Sequence, residues 1–342
     1  DISLEFVEGL MSGVGAPARL MRITGPRGSG KTVLLCDLRD RAIELGWKAV
    51  VVSAGPRLSH DLMEQIQDQL TFSSASLGVN VGIASAKLDI SSSEMSLRAK
   101  LKQIAQGSKG LFIAVDEVQD APVEEMRIIA STVQLLIGEK VNIALAFAGL
   151  PSGVMDLING KALTFLRRAV PEDLAPINQI EIALSLSDSF SATGLSLDGD
   201  LLSKAARATK GYAYLVQLVG YSIWQRANLH REKSTLVSER DVDEGILLAE
   251  ARFHDVVHEP AISGLSRNEI NYLYAMCEDS RQSKTSDLAK RLGKKTSELS
   301  SVRAKLLSRE VIQAPQRGYV QFAVPDLDEY LKDNRDEILS RY

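Results

Sequence analysis

The 342-residue sequence contains no apolar run approaching the roughly 20 residues that a membrane-spanning helix needs, so no membrane role is expected. No secretory leader is recognisable either. Cysteine is scarce. Cys36 and Cys277 lie far apart in apolar helical contexts, which argues against a disulfide framework and a cysteine-ligated metal and points to core thiols in a reducing, cytoplasmic compartment. His254 and His258 are spaced for one helix face, but a third ligand and a suitably placed Glu are missing, so zinc is not expected. Internal repeats are absent. Hydrophobic residues at 45% and charged residues at 25% allow a buried core and argue against global disorder.

The net charge of −4 decides nothing by itself, but its distribution is uneven. Between Arg281 and Gly318 ten basic residues face three acidic ones, a net of +7 that leaves −11 for the rest. A basic C-terminal unit on an acidic body points to local contact with a polyanion.

Short apolar runs alternate with amphipathic stretches over the first half. Ala18 to Thr24, Trp47 to Ser53, Leu111 to Val115, Val141 to Ala148 and Gln179 to Leu184 read as strands. Thr32 to Leu45 and Leu58 to Leu70 read as helices between them. This order predicts an α/β fold with a doubly wound parallel sheet. Thr71 to Ser93 is rich in Ser and Gly, with alternating Val79, Val81 and Ile83, and reads as a hairpin or a loop. After Leu186 the strands stop. Leu201 to Ala208, Tyr212 to Ala227 and Asp241 to Phe253 read as helices, the last capped near Ser238. Tyr212, Tyr214, Tyr221 and Trp224 recur at helical spacing and are expected in the core of that helical unit. Beyond Glu259-Pro260 and Ser263-Gly264, Ser286 to Leu292 and Ser297 to Leu307 form a helix–turn–helix pattern, and Val311 to Val324 a β-hairpin wing around Gln316-Arg317-Gly318.

The chemistry concentrates in Gly25-Pro26-Arg27-Gly28-Ser29-Gly30-Lys31-Thr32, followed by Val33, which fits the phosphate-binding pattern G-x-x-x-x-G-K-[ST]. A chance match in a chain of this size is on the order of one in a hundred. Glycines let the backbone turn its N–H groups toward phosphate, and the following helix adds positive potential at its N-terminus. Lys31 is placed for the β- and γ-phosphates of ATP, and Thr32 for Mg²⁺. A second element, Leu111 to Val115 followed by Asp116-Glu117, puts two carboxylates at the end of a buried strand. Asp116 is expected to hold the Mg²⁺ through water, and Glu117 to polarise the attacking water.

With these two motifs in this order, the chain resembles the AAA+ ATPases, specifically the origin-recognition and initiator-like group with a C-terminal winged helix. Gly149-Leu150-Pro151, Arg168-Ala169 and Gly211 to Gly220 are similar to prokaryotic ATPases of that family of unassigned role. The resemblance covers nearly the whole chain. It implies an ATPase core over 1–186, a helical lid over 187–259 and a winged helix over 260–342. It implies a polar sensor at the end of the fourth strand, where this sequence has Phe147-Ala148-Gly149-Leu150 and only Ser152 nearby. It implies an arginine finger acting across a subunit interface, with Arg168 first and Arg167 second. A lid arginine is also implied, but Tyr212 and Tyr214 occupy its region and Arg207 is the nearest. These departures predict slow turnover or a nucleotide used as a switch.

Expected partners are ATP and ADP, double-stranded DNA, and further copies of the chain or a partner ATPase subunit. Lys294, Lys295, Thr296, Ser297, Arg303 and Arg317 are the expected DNA contacts, because the second helix of such a motif enters the major groove. The competing reading is a STAND-type signalling ATPase whose winged helix contacts protein. A small-molecule kinase is disfavoured, since no substrate pocket is evident.

Overall fold

The computed structural model describes residues 2–75, 90–232 and 234–342. The expected hairpin residues Val79, Val81 and Ile83 lie outside them. The chain divides into two compact units, Asp1–Ala175 and Pro176–Tyr342.

The first unit begins with α1 (Ile2–Met11), then β1 (Leu20–Thr24), α2 (Lys31–Glu44), β2 (Lys48–Ser53), α3 (Leu58–Ala75) and α4 (Ile90–Gln106). There follow β3 (Leu111–Asp116), α5 (Val123–Gly138), β4 (Ile143–Gly149), α6 (Pro151–Asn159) and β5 (Val170–Asp173). The five strands form one parallel sheet in the order β2-β3-β4-β1-β5.

Alternation along each strand feeds two cores. Ile143, Leu145 and Phe147 of β4 pack on the face covered by α3 to α6. The intervening Ala144, Ala146 and Ala148 pack on the other face, with Phe6 and Leu10 of α1 and Leu35 and Leu38 of α2. Large side chains on one side and alanines on the other let helices close on both faces, as the doubly wound pattern requires.

The structure departs from one expected strand. Gln179 to Leu184 is helical, the start of α7 (Gln179–Ala192). Its alternating Ile180, Ile182 and Leu184 also satisfy a helical period once Leu186 and Phe190 are included. Ile182, Leu186 and Phe190 are buried, whereas Ile180 and Leu184 are 70% and 62% exposed. The Asn178 side chain caps the helix by accepting from the Ile180 N–H at 2.8 Å. The fifth strand is instead Val170–Asp173, beside β1. Its Pro171 is compatible with a sheet edge, where a ladder donor is dispensable.

The second unit continues from α7 with α8 (Gly199–Ala208), α9 (Ala213–Asn228) and α10 (Glu239–Phe253). Ser238 and Asp241 form a capping box at the start of α10. Tyr212 is buried and packs edge-on against Phe253, but Tyr221, expected in the core, is 52% exposed and lies against Trp224 at the surface. A π-turn over His254–His258 leads into α11 (Glu259–Ile262).

Then come α12 (Arg267–Met276), β6 (Ser283–Lys284), α13 (Thr285–Arg291), α14 (Ser300–Ser308), β7 (Ile312–Gln313), β8 (Tyr319–Phe322), α15 (Leu327–Asp333) and α16 (Arg335–Arg341). The last three strands form an antiparallel sheet, β6-β8-β7, over a core containing Ile270, Leu273, Leu288, Leu306 and Val320. No described helix is long and apolar enough to cross a membrane.

Candidate functional site

Strand β1 ends at Thr24 and the glycine-rich loop turns directly into α2. Gly28 and Gly30 have φ of 73° and 95°, the left-handed region that glycine enters without steric cost. Gly25 is needed for a different reason. A Cβ there would stand 2.5 Å from Ser29 Oγ and 3.2 Å from Leu174 Cβ. Lys31 opens α2 and is buried, and its ammonium donates to the carbonyl oxygens of Gly25 and Pro26 at 2.9 and 3.0 Å. Ser29 Oγ is buried and, among the described residues, has no hydrogen-bond partner.

Opposite the loop, β3 carries Asp116 to its carboxyl end, buried at 4% exposure. Thr32 Oγ1 donates to Asp116 Oδ2 at 2.5 Å, and the Glu117 N–H donates to Asp116 Oδ1 at 2.9 Å. Glu117 has φ 51° and ψ 46°. A left-handed non-glycine residue costs on the order of 1–3 kcal/mol and persists only where its surroundings hold it. The hold here comes from both sides: Val118 is buried, and Gln119 Nε2 donates to Glu117 Oε2 at 2.5 Å.

The expected residues of both motifs therefore meet. Thr32 and Asp116 supply a hydroxyl and a carboxylate, the hard oxygen donors that suit Mg²⁺. The unpartnered Ser29 hydroxyl and the buried Lys31 ammonium suit a phosphate group. These residues fit Mg²⁺ and a nucleoside triphosphate.

Three similarities bear on this geometry. The ORC2 protein of Aeropyrum pernix superposes with a TM-score of 0.66 at 14% identity, covering 99% of this chain and 93% of that one. The Walker-type ATPase PABY2304 of Pyrococcus abyssi gives 0.67 at 14% identity, covering 97% and 94%. CDC6P from Pyrobaculum aerophilum gives 0.56 at 15% identity, covering 99% and 93%. The chain has the AAA+ fold. A family profile described as a domain of unknown function (DUF8462) matches residues 255–331. No curated protein matches the sequence.

On this AAA+ frame the two candidate finger arginines separate. Arg167 donates to the carbonyl oxygens of Ile158 and Asn159 at 2.8 and 3.2 Å, tying it to the end of α6. Arg168 is exposed and, among the described residues, makes no such bond. At the end of β4, Gly149 and Leu150 present no polar side chain, and Ser152 is exposed on α6. Gln119, not among the expected site residues, stands at the same corner, where its Oε1 accepts from the Leu150 N–H at 3.1 Å. The available signal was its position two residues beyond Glu117, with Gly149 and Gly153 leaving it room.

In the C-terminal unit the second helix starts at Ser300, not at Ser297. Lys294, Lys295, Thr296 and Ser297 form the exposed turn before it, closed by the Lys295 N–H donating to Glu298 Oε2 at 2.6 Å. That side-chain acceptor stabilises the turn in place of another helical turn. Arg317 is exposed at the hairpin tip beside Gly318, whose φ is 84°. Arg303 differs from the rest. It is only partly exposed, its Nε is buried and among the described residues has no partner, and it interacts electrostatically with buried Tyr272, whose hydroxyl burial pushes up to about 12.

Proposed function

We propose that the chain is a Mg²⁺-dependent ATPase whose nucleotide state is coupled to DNA binding by a C-terminal winged helix. The observation that carries the first half is the Thr32–Asp116 hydrogen bond, which joins the phosphate loop to the end of β3. Around a bound ATP, the loop from Gly25 to Val33 cradles the phosphates, and Lys31 exchanges its two loop carbonyls for phosphate oxygens. Thr32 and Asp116 hold the metal, which when bound neutralises charge on the β- and γ-phosphates. Glu117 accepts a hydrogen bond from the attacking water and aligns it in line with the leaving oxygen. Arg168 serves a neighbouring copy by stabilising charge on the transferring phosphoryl group.

The order α12, β6, α13, α14, β7, β8 supports reading residues 260–342 as a winged helix. The exposed Lys294, Lys295 and Arg317 support phosphate contact there. The test is titration of ATP with and without Mg²⁺, followed by hydrolysis and duplex binding in each nucleotide state. Nucleotide binding without any DNA affinity at low salt favours the signalling reading. One observation already leans that way: Arg291 is paired with Asp279 and Glu278, and Lys305 with Glu269, so part of the basic excess is spent internally.

A further inference from the structure

Gln119 sits where two strands end. Its amide nitrogen donates to Glu117 Oε2 at 2.5 Å, and its amide oxygen accepts from the Leu150 N–H at 3.1 Å. Only this orientation of the amide satisfies both neighbours, since a carboxylate needs a donor and an N–H an acceptor. The side chain thus spans from the turn after β3 to the corner between β4 and α6.

The corner is shaped to receive it. A Cβ on Gly149 would lie 2.7 Å from Gln119 Oε1, and a Cβ on Gly153 would lie 2.4 Å from Gln119 Cβ. Two glycines within five residues leave the space that this one side chain fills. Glu117 itself stands in left-handed backbone, so its carboxylate direction depends on what holds it.

We propose that Gln119 is a positioning residue: it fixes one oxygen of Glu117 against the β4–α6 corner and leaves Oε1 for the attacking water. The proposal rests on the reading of Glu117 as the water-polarising carboxylate. A side effect of the arrangement is mechanical. Any displacement of the corner at Leu150 is passed to the carboxylate through a single amide.

The test compares Gln119→Met and Gln119→Glu with the wild type in steady-state ATP hydrolysis, with ADP affinity as a second readout. Methionine keeps the length and packing but neither donates to a carboxylate nor accepts at Leu150. Glutamate keeps the size and the acceptor for Leu150 but, ionised, does not donate to Glu117. Misplacing a catalytic group by about 1 Å can cost on the order of a hundredfold. Both variants should therefore lose roughly 10- to 100-fold in kcat, with KM for ATP and ADP affinity within about twofold of wild type. Wild-type kcat in Gln119→Met overturns the proposal. So does a loss in which KM and ADP affinity deteriorate in step with kcat, which marks the amide as packing only. If Gln119→Met does not fold, Gln119→Glu decides by the same criteria. Glu117→Gln separates the two levels: wild-type turnover there, or a chain with no ATPase activity, overturns the underlying reading. An inactive Glu117→Gln beside a fully active Gln119→Met overturns the role of Gln119 alone.

Discussion

Thr32 Oγ1 and Asp116 Oδ2 stand 2.5 Å apart although 84 residues separate them in the chain. The pairing needs β1 and β3 to end at the same level of the sheet with β4 between them, which the register Thr24 to Gly149 and Val115 to Phe147 provides.

The first expectation concerns the two charged groups on either side of that pair. Lys31→Ala removes a charge-assisted hydrogen bond to phosphate, worth about 1.5–3 kcal/mol, so ATP affinity should fall roughly 10- to 100-fold. Glu117→Gln should keep nucleotide affinity and lose about 10²- to 10⁴-fold in turnover, the usual contribution of a positioned proton acceptor. Calorimetric titration and phosphate release read the two effects apart. A Glu117→Gln protein turning over at the wild-type rate would remove Glu117 from the mechanism.

Arg168 and Arg167 should behave differently despite being neighbours. Arg167 is bonded to the carbonyls closing α6, so Arg167→Ala should lower thermal stability. Arg168→Ala should leave stability unchanged and lower turnover, with arginine fingers worth about 10³–10⁵ where they operate. Mixing Arg168→Ala with Lys31→Ala should restore activity, because each supplies the half-site the other lacks. A per-subunit rate independent of concentration, with Arg168→Ala fully active, would exclude a finger used in trans.

Most of the fold and the residues that meet at the candidate site are legible in the sequence, for identifiable reasons. The loop from Gly25 to Thr32 and the Asp116-Glu117 pair are contiguous, so residue type and spacing carry them. Gln179 to Leu184 was not legible, because Ile180, Ile182 and Leu184 fit both a strand period and a helix period. Asn178 breaks the tie only if its capping role is recognised. Gln119 was illegible in another way. Its role is defined by Leu150 and by two glycines about thirty residues later, and no local pattern announces that contact.

Acidification should destabilise the second unit before carboxylates titrate. His258 on the π-turn is buried, with Nε2 2.7 Å from the Pro325 carbonyl oxygen and Nδ1 buried and, among the described residues, without a partner. Burial depresses its pKa below the usual 6.5, outweighing the Pro325 contact that acts the other way. His254 and Lys210 also oppose its charge, Asp326 favours it, and Phe253 and Tyr330 pack on the ring. The folded state therefore binds a proton less readily than the unfolded one. The stability conferred by neutral His258 is present above about 6.5 and is lost as pH falls from there toward the depressed folded value. Thermal melts between pH 7.5 and 5.5 should show this drop, and His258→Gln should flatten it. An equal drop in that variant would assign the effect elsewhere.

The DNA prediction turns on which basic side chains are free to meet phosphate. Arg291 and Lys305 are held by acidic partners, and Arg303 has its Nε buried in the domain. Lys295 and Arg317 are exposed and, among the described residues, make no ion pair. Lys294 is exposed and donates to the neutral Asn268 side chain at 3.2 Å; among the described residues it makes no ion pair. Each phosphate contact releases counterions, so affinity falls linearly with salt on logarithmic axes, with a slope near −0.9 per contact. Lys295→Ala and Arg317→Ala should each weaken binding to all duplex sequences alike and reduce that slope by about one. Arg303→Ala should leave the slope unchanged and act, if at all, through the melting temperature. Loss confined to one sequence would mean that Lys295 or Arg317 reads bases. Binding that survives removal of everything beyond Gly264 would place the duplex on another surface. An unchanged slope in both Lys295→Ala and Arg317→Ala would leave the turn and the β7–β8 hairpin as surfaces for protein, and the signalling reading would take precedence.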